Sequence, residues 1–209
     1  MYSTFIFDVD GTLINTEQAV LGSLQKLLKQ HYDVEMSQPD LAFVLGIPVS
    51  VSLRQLGLDY IEMANKKWNE LMQREYRHTI HVYEGIRQLL VDLKEQSVVT
   101  GVVTSKTYQE FLDDFIPFGL VYDLTYAICA DDTDLHKPHP EPLLKFLEVS
   151  GAKAESSIYI GDTTYDYECA REAGVDFGLA LWGCRQPEAI PAQYKFEYPR
   201  DILALLKQQ

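Results

Sequence analysis

Two aspartates separated by a single valine, Asp8 and Asp10, follow the apolar run STFIF near the amino end of the chain. Residues two apart on a strand share a face, so a strand running through Asp10 directs both carboxylates into one small volume. Gly11 then allows a sharp turn. Two carboxylates about 4 Å apart repel by roughly 4 kcal/mol at an effective dielectric of about 20, so a metal ion or a proton is expected beside them.

Three more short stretches hold residues able to do chemistry: TSK at Thr104 to Lys106, HKPHPEP around Lys137, and GDTTYD with Asp162 and Asp166. Each has an ordinary alternative. A hydroxyl after a strand commonly caps a helix, so Thr104 or Ser105 alone signals little. A lone lysine such as Lys137 is usually solvated. Asp162 and Asp166, four apart, either share one helix face or belong to a capped turn. His136 and His139 flank Lys137 and read as polar loop groups, while Pro138, Pro140 and Pro142 suggest a rigid approach to a helix.

The elements that must position these residues follow from periodicity. STFIF, VVTGVVTS (98–105), YAICA (126–130), SIYIG (157–161) and FGLAL (177–181) are short apolar runs of the kind found in buried parallel strands. Helical patterns alternate with them in GIRQLLVDLKEQ, TYQEFLDDF, PEPLLKFLEVSG and TYDYECAREAG. That alternation predicts an α/β fold with a doubly wound, Rossmann-like parallel sheet, whose sites lie at the carboxyl ends of the strands. All the candidate stretches follow predicted strands.

One interval breaks the rhythm. Between the first and second runs lie only helical stripes, Val20, Leu21, Leu24, Leu27 and Leu28 in one, and Ile61, Ala64, Trp68, Leu71, Met72 and Tyr76 in another. The expected organisation is therefore a core of residues 1–14 and 81–209 with a helical cap, 15–80, inserted after the first strand.

Composition narrows the partners. Eighteen basic against 31 acidic residues give a net charge of −13, which disfavours nucleic acid and anionic lipid. Screening limits that field to roughly 8 Å at physiological salt, so a local cluster of metal and lysine can still bind an anion. No apolar run is long enough to span a membrane and no basic leader opens the chain, which predicts a cytoplasmic protein. Cys129, Cys169 and Cys184 lack paired spacing and read as structural thiols.

Taken in order, DxDGT, then Thr or Ser, then Lys, then GDxxxD, the set resembles the haloacid dehalogenase-like phosphatases with a helical cap after the first motif. The resemblance covers nearly the whole chain. It implies a phosphatase in which Asp8 attacks phosphorus to give an aspartyl phosphate, while Asp10 protonates the leaving oxygen and later activates water. It further implies Mg2+, held by Asp8, the Asp10 carbonyl oxygen and Asp162, with Asp166 as a direct ligand or through water; an all-oxygen set suits magnesium. Lys137, Thr104, Ser105 and the backbone near Gly11 would meet the phosphate oxygens.

Thr12 and Lys106 look most like the phosphoglycolate phosphatase and pyrophosphatase branch, so the expected substrate is a small phosphorylated metabolite. The stretch LGIPVSVSLRQLG, with Gly46 and Pro48, resembles the cap loop that closes over the site in that branch, with a departure at Val44 just before it. Arg54 is a candidate to hold a substrate carboxylate. A pyrophosphatase, a sugar-phosphate mutase and a non-catalytic binder of phosphorylated ligands are the alternatives. Oligomeric state is not legible.

Overall fold

The computed structural model describes residues 1–206, so residues 207–209 of the expected core range lie outside the described residues. Six parallel strands form the main sheet: β1 (Thr4–Phe7), β4 (Val99–Val103), β5 (Tyr126–Ile128), β6 (Ser157–Gly161), β7 (Asp176–Ala180) and β8 (Tyr194–Phe196). Their order is β5-β4-β1-β6-β7-β8, with β1 between β4 and β6. The chain therefore reverses its direction across the sheet at β1, opening a crevice at the strand carboxyl ends. Every residue of β1 and β6 is buried, because helices cover both faces.

The period of two sorts the side chains. Phe5, Phe7, Val102, Ile158 and Ile160 face one layer, where they meet Ile86, Leu89, Leu90 and Leu93 of helix α5 (Ile86–Glu95). Ile6, Val103, Tyr159 and Phe177 face the other, packing on Leu143 and Phe146 of α7 (Glu141–Ser150) and on Cys169 and Ala170 of α8 (Thr164–Ala173). Helix α6 (Tyr108–Asp114) adds Phe111 to the first layer. The expected doubly wound α/β fold is what the chain adopts.

Between the first two strands of that sheet lie α1 (Glu17–Tyr32), α2 (Gln38–Leu41), α3 (Val49–Gln55) and α4 (Ile61–Leu71), followed by a π-helical turn over Met72–Tyr76. They have a core of their own, in which Leu21, Leu24, Leu27 and Leu28 of α1 meet Leu53 of α3 and Ala64, Trp68 and Leu71 of α4. Trp68 donates its indole N–H to Ser23 Oγ at 2.8 Å, satisfying a polar group that burial would otherwise orphan. Two short strands, β2 (Ile14–Asn15) and β3 (His81–Val82), pair antiparallel where the chain leaves and re-enters the sheet domain. No helix among the described residues is long and apolar enough to cross a membrane.

Candidate active site

The carboxyl ends of β1, β4 and β6 converge on one cleft of about 490 Å3, whose opposite wall is built from the helical insertion. β1 ends at Phe7, so Asp8 is already in the loop, with its N–H donating to Ile160 O at 2.8 Å. The strand does not run on through Asp10, the condition for a shared volume, and the two carboxylates take different partners. Asp8 Oδ1 accepts from Lys137 Nζ at 2.8 Å. Asp10 Oδ1 accepts from Thr16 Oγ1 at 2.7 Å and lies 3.1 Å from Lys106 Nζ. Each acid thus has its own lysine, which offsets the repulsion that the spacing suggests.

Lys137 is the hub. Its ammonium donates to Asp8, to Asp166 Oδ1 at 2.6 Å and to the Tyr159 hydroxyl at 3.1 Å, so all three N–H bonds are used in a buried setting. Tyr159, fully buried on β6, has its hydroxyl within 2.9 Å of Val103 O and 3.0 Å of Asp166 Oδ1. The sequence offered little sign of it beyond a tyrosine inside an otherwise apolar strand, where a buried hydroxyl requires a partner.

The GDTTYD stretch resolves as a capped turn that also serves the site. Thr163 is the N-cap of α8 and Asp166 its third residue; Asp166 Oδ2 accepts from Thr163 N at 3.0 Å and Thr163 Oγ1 at 2.6 Å. Asp162 precedes the helix, so the two acids do not share a helix face. Asp162 Oδ1 accepts from Thr12 Oγ1 at 3.0 Å, which gives the threonine of the first motif a structural reason.

Carboxylate oxygens of Asp8, Asp162 and Asp166 lie within 4.8 Å of one another, all buried. Burial is the main force on Asp8 and drives its pKa up to about 7; Lys137 opposes this, and Asp166 and Asp10 reinforce it. Burial, then the charges of Asp166 and Asp8, push Asp162 well above the usual carboxylate range. One ammonium does not neutralise three buried acids, and the donor set is all oxygen, so the group fits a hard divalent cation. The Asp10 carboxylate is outside this group, engaged with Thr16 and Lys106.

Close backbone approach explains two glycines. Gly11 has φ +81°, and a β-carbon there would sit 2.2 Å from Asp162 Oδ2. A β-carbon on Gly183 would fall 1.7 Å from the Gly11 carbonyl oxygen, so the turn after β7 is pressed onto the loop that carries Asp8 and Asp10. Trp182 fastens the same contact by donating its indole N–H to Thr12 O at 2.9 Å.

Several candidates fall elsewhere than expected. Thr104 is buried and does not line the cleft; its hydroxyl accepts from Lys106 N at 3.2 Å. Ser105 does line it, and donates to the carbonyl of Gly46, in the insertion, at 3.0 Å. Gly46 lies across the cleft beside Thr163, the nearest atom 2.9 Å from where its β-carbon would stand. Arg54 is a correction: α3 turns Ser52 and Leu53 inward and leaves Arg54 exposed, outside the cleft lining. Lys106 has more to do than the branch signal suggested, since it also binds Asp114 Oδ2 at 2.7 Å, whose other oxygen accepts from Gln73 of the π-helical turn at 2.6 Å. Arg185, not singled out from sequence, lines the cleft and pairs with Glu17 at 2.5 Å. The three cysteines are unpaired, Cys129 and Cys169 buried and Cys184 on the cleft wall.

Comparison with known proteins bears on the family and the fold. Pyrophosphatase PpaX of Halalkalibacterium halodurans is 29% identical over 183 residues, covering 88% of this chain and 85% of that protein. The crystal structure of a candidate phosphoglycolate phosphatase from Lactobacillus plantarum superposes with a TM-score of 0.88 at 29% identity, covering 98% of this chain and 99% of that one. A subfamily IA hydrolase of the haloacid dehalogenase superfamily from Geobacter sulfurreducens gives 0.73 at 25% identity, covering 98% and 96%. The family profile for haloacid dehalogenase-like hydrolase matches residues 5–180, and the chain belongs to that family.

Proposed function

We propose that this hydrolase is a Mg2+-dependent phosphatase of small phosphorylated metabolites, working through an aspartyl phosphate on Asp8. The observation that carries the reading is the convergence of Asp8, Lys137 and Asp162 at the floor of a cleft that Asp10 also lines, with Asp166 buried beneath Lys137. Asp8 and Asp162 would hold the cation together with the Asp10 carbonyl oxygen, with Asp166 behind them. When bound, the cation supplies charge stabilisation for the phosphoryl oxygens and keeps Asp8 ionised.

Each step then falls to a residue of the chain. An Asp8 carboxylate oxygen attacks phosphorus as the bond to the leaving oxygen breaks, and Asp10 gives that oxygen its proton. Water next attacks the phosphorus of the acyl phosphate; Asp10 takes the water proton, and Asp8 and inorganic phosphate are released. Thr16 and Lys106 fix one oxygen of Asp10, and the other has no hydrogen bond among the described residues, which suits it to handle the proton. Lys137, held by Asp166 and Tyr159, fixes the nucleophile and meets developing negative charge. Ser105 and the backbone at Gly11, both on the cleft wall, suit a role in gripping phosphate, with Thr104 bracing the loop from behind. The helical segment 15–80 acts as the cap, excluding water when closed.

The two substrate readings are phosphoglycolate-like monoesters and pyrophosphate, the latter favoured by the names of the sequence relatives. A panel of phosphoglycolate, pyrophosphate, sugar phosphates and nucleotides, compared by kcat/KM with Mg2+ and with chelator, separates them. Cleavage that persists unchanged in chelator, or binding without any cleavage, would overturn the reading.

A further inference from the structure

The cleft lining holds more carboxylates than cations, in a chain of net charge −13. Two of its cations are committed. Lys106 and Lys137 have side chains only 9% and 1% exposed, and each is gripped by two carboxylates. Arg185 differs: among the described cleft residues it is the one cation with an open side chain, 41% exposed, and its single carboxylate partner, Glu17, is 45% exposed. Solvent-exposed ion pairs of this kind contribute little, so an incoming anion replaces the Glu17 carboxylate at small cost.

The turn that leads into it, by contrast, is firmly set. Gly183 is pressed on the Gly11 carbonyl, Trp182 bonds to Thr12 O, and Cys184 N donates to Ala180 O at 3.2 Å. Arg185 is therefore the next residue after a turn clamped to the loop that bears Asp8. A guanidinium so placed presents a fork matching a planar or tetrahedral oxyanion. Arg54, to which the sequence pointed for this task, is exposed and off the cleft.

We infer that Arg185 is a specificity-determining residue that receives a second anionic group of the substrate, a carboxylate or a second phosphate, while the scissile phosphoryl group sits at Asp8. This deepens the phosphatase reading and rests on it. The substrate class is then a phosphate ester or anhydride with an oxyanion on its leaving group.

The test compares kcat/KM for phosphoglycolate, pyrophosphate and glycerol 3-phosphate, whose leaving group is neutral, in wild type, Arg185→Met, Arg185→Lys and Glu17→Gln. Loss of a charge-assisted contact should lower the ratio of an anionic-arm substrate to glycerol 3-phosphate by at least about tenfold in Arg185→Met, chiefly through KM. Arg185→Lys should recover part of it, and Glu17→Gln should raise the ratio by removing the competing carboxylate. Collapse on phosphoglycolate alone identifies a carboxylate, and collapse on pyrophosphate alone a phosphate. An unchanged ratio in Arg185→Met, or an equal loss on all three substrates, would overturn the inference while leaving the phosphatase reading intact. A wild type that cleaves sugar phosphates or nucleotides but neither phosphoglycolate nor pyrophosphate would overturn the inference alone, whereas one that cleaves nothing in the whole panel with Mg2+ would overturn the phosphatase reading, and the inference with it.

Discussion

Without its cation, the site should cost the fold stability as pH rises. Asp8 has a folded pKa of about 7 against an ordinary value of 3.8, because burial outweighs the attraction of Lys137 and because Asp166 and Asp10 add repulsion. A raised folded pKa means that the native state holds the proton more tightly than the unfolded chain. The stabilisation is complete below about pH 4 and is lost as pH climbs through 7. A shift of about three units corresponds to at most about 4 kcal/mol. At roughly 2–4 °C per kcal/mol for a chain of this size, the metal-free melting temperature should drop by up to about 10 °C between pH 5 and 8. Asp162, also raised, acts in the same direction. The assay is thermal and urea unfolding across that range, in chelator and in Mg2+. Mg2+ should raise the melting temperature more at pH 8 than at pH 5, since it binds the ionised acids. Asp8→Asn should flatten the metal-free slope and stabilise the protein at pH 8. A metal-free melting temperature that is flat or rises from pH 5 to 8, or an Asp8→Asn protein with the wild-type slope, would refute the electrostatic reasoning.

Tyr159→Phe should destabilise by about 2 kcal/mol or more, because it strands one N–H of a buried ammonium, and it should lower kcat through a loosened Lys137. Urea unfolding and steady-state kinetics read the two effects. Gly183→Ala drives a β-carbon into the Gly11 carbonyl, 1.7 Å away, so kcat/KM should fall by about a hundredfold while the α/β core still folds. Retained activity in that variant would mean the two loops are free to separate.

What the sequence could reveal depended on how much of each signal was local. The buried strands and the stripes of α1, α4 and α5 are continuous patterns, so the doubly wound sheet and the helical insertion were legible. The two-residue strands β2 and β3 are too short for any period, and β8 has only three residues with one exposed. The acids were found because their order is a motif, yet their partners were not. Tyr159, Asp114 and Gln73 reach the site through contacts spanning 7 to 41 positions. The Asp8–Asp10 spacing suggested one shared volume; the strand stops at Phe7, Gly11 takes φ +81°, and the two carboxylates part toward different lysines. Arg54 and Arg185 look alike as letters, and only folding decides which of them faces the cleft.

The most direct measurement of the central claim is acid quenching during turnover, followed by mass spectrometry of the peptide that contains Asp8. The account predicts a phosphoryl group on Asp8, labile to hydroxylamine as an acyl phosphate is, and absent in Asp8→Asn. Steady cleavage of substrate in an Asp8→Asn protein, or a phosphoryl group trapped on another residue, would contradict it.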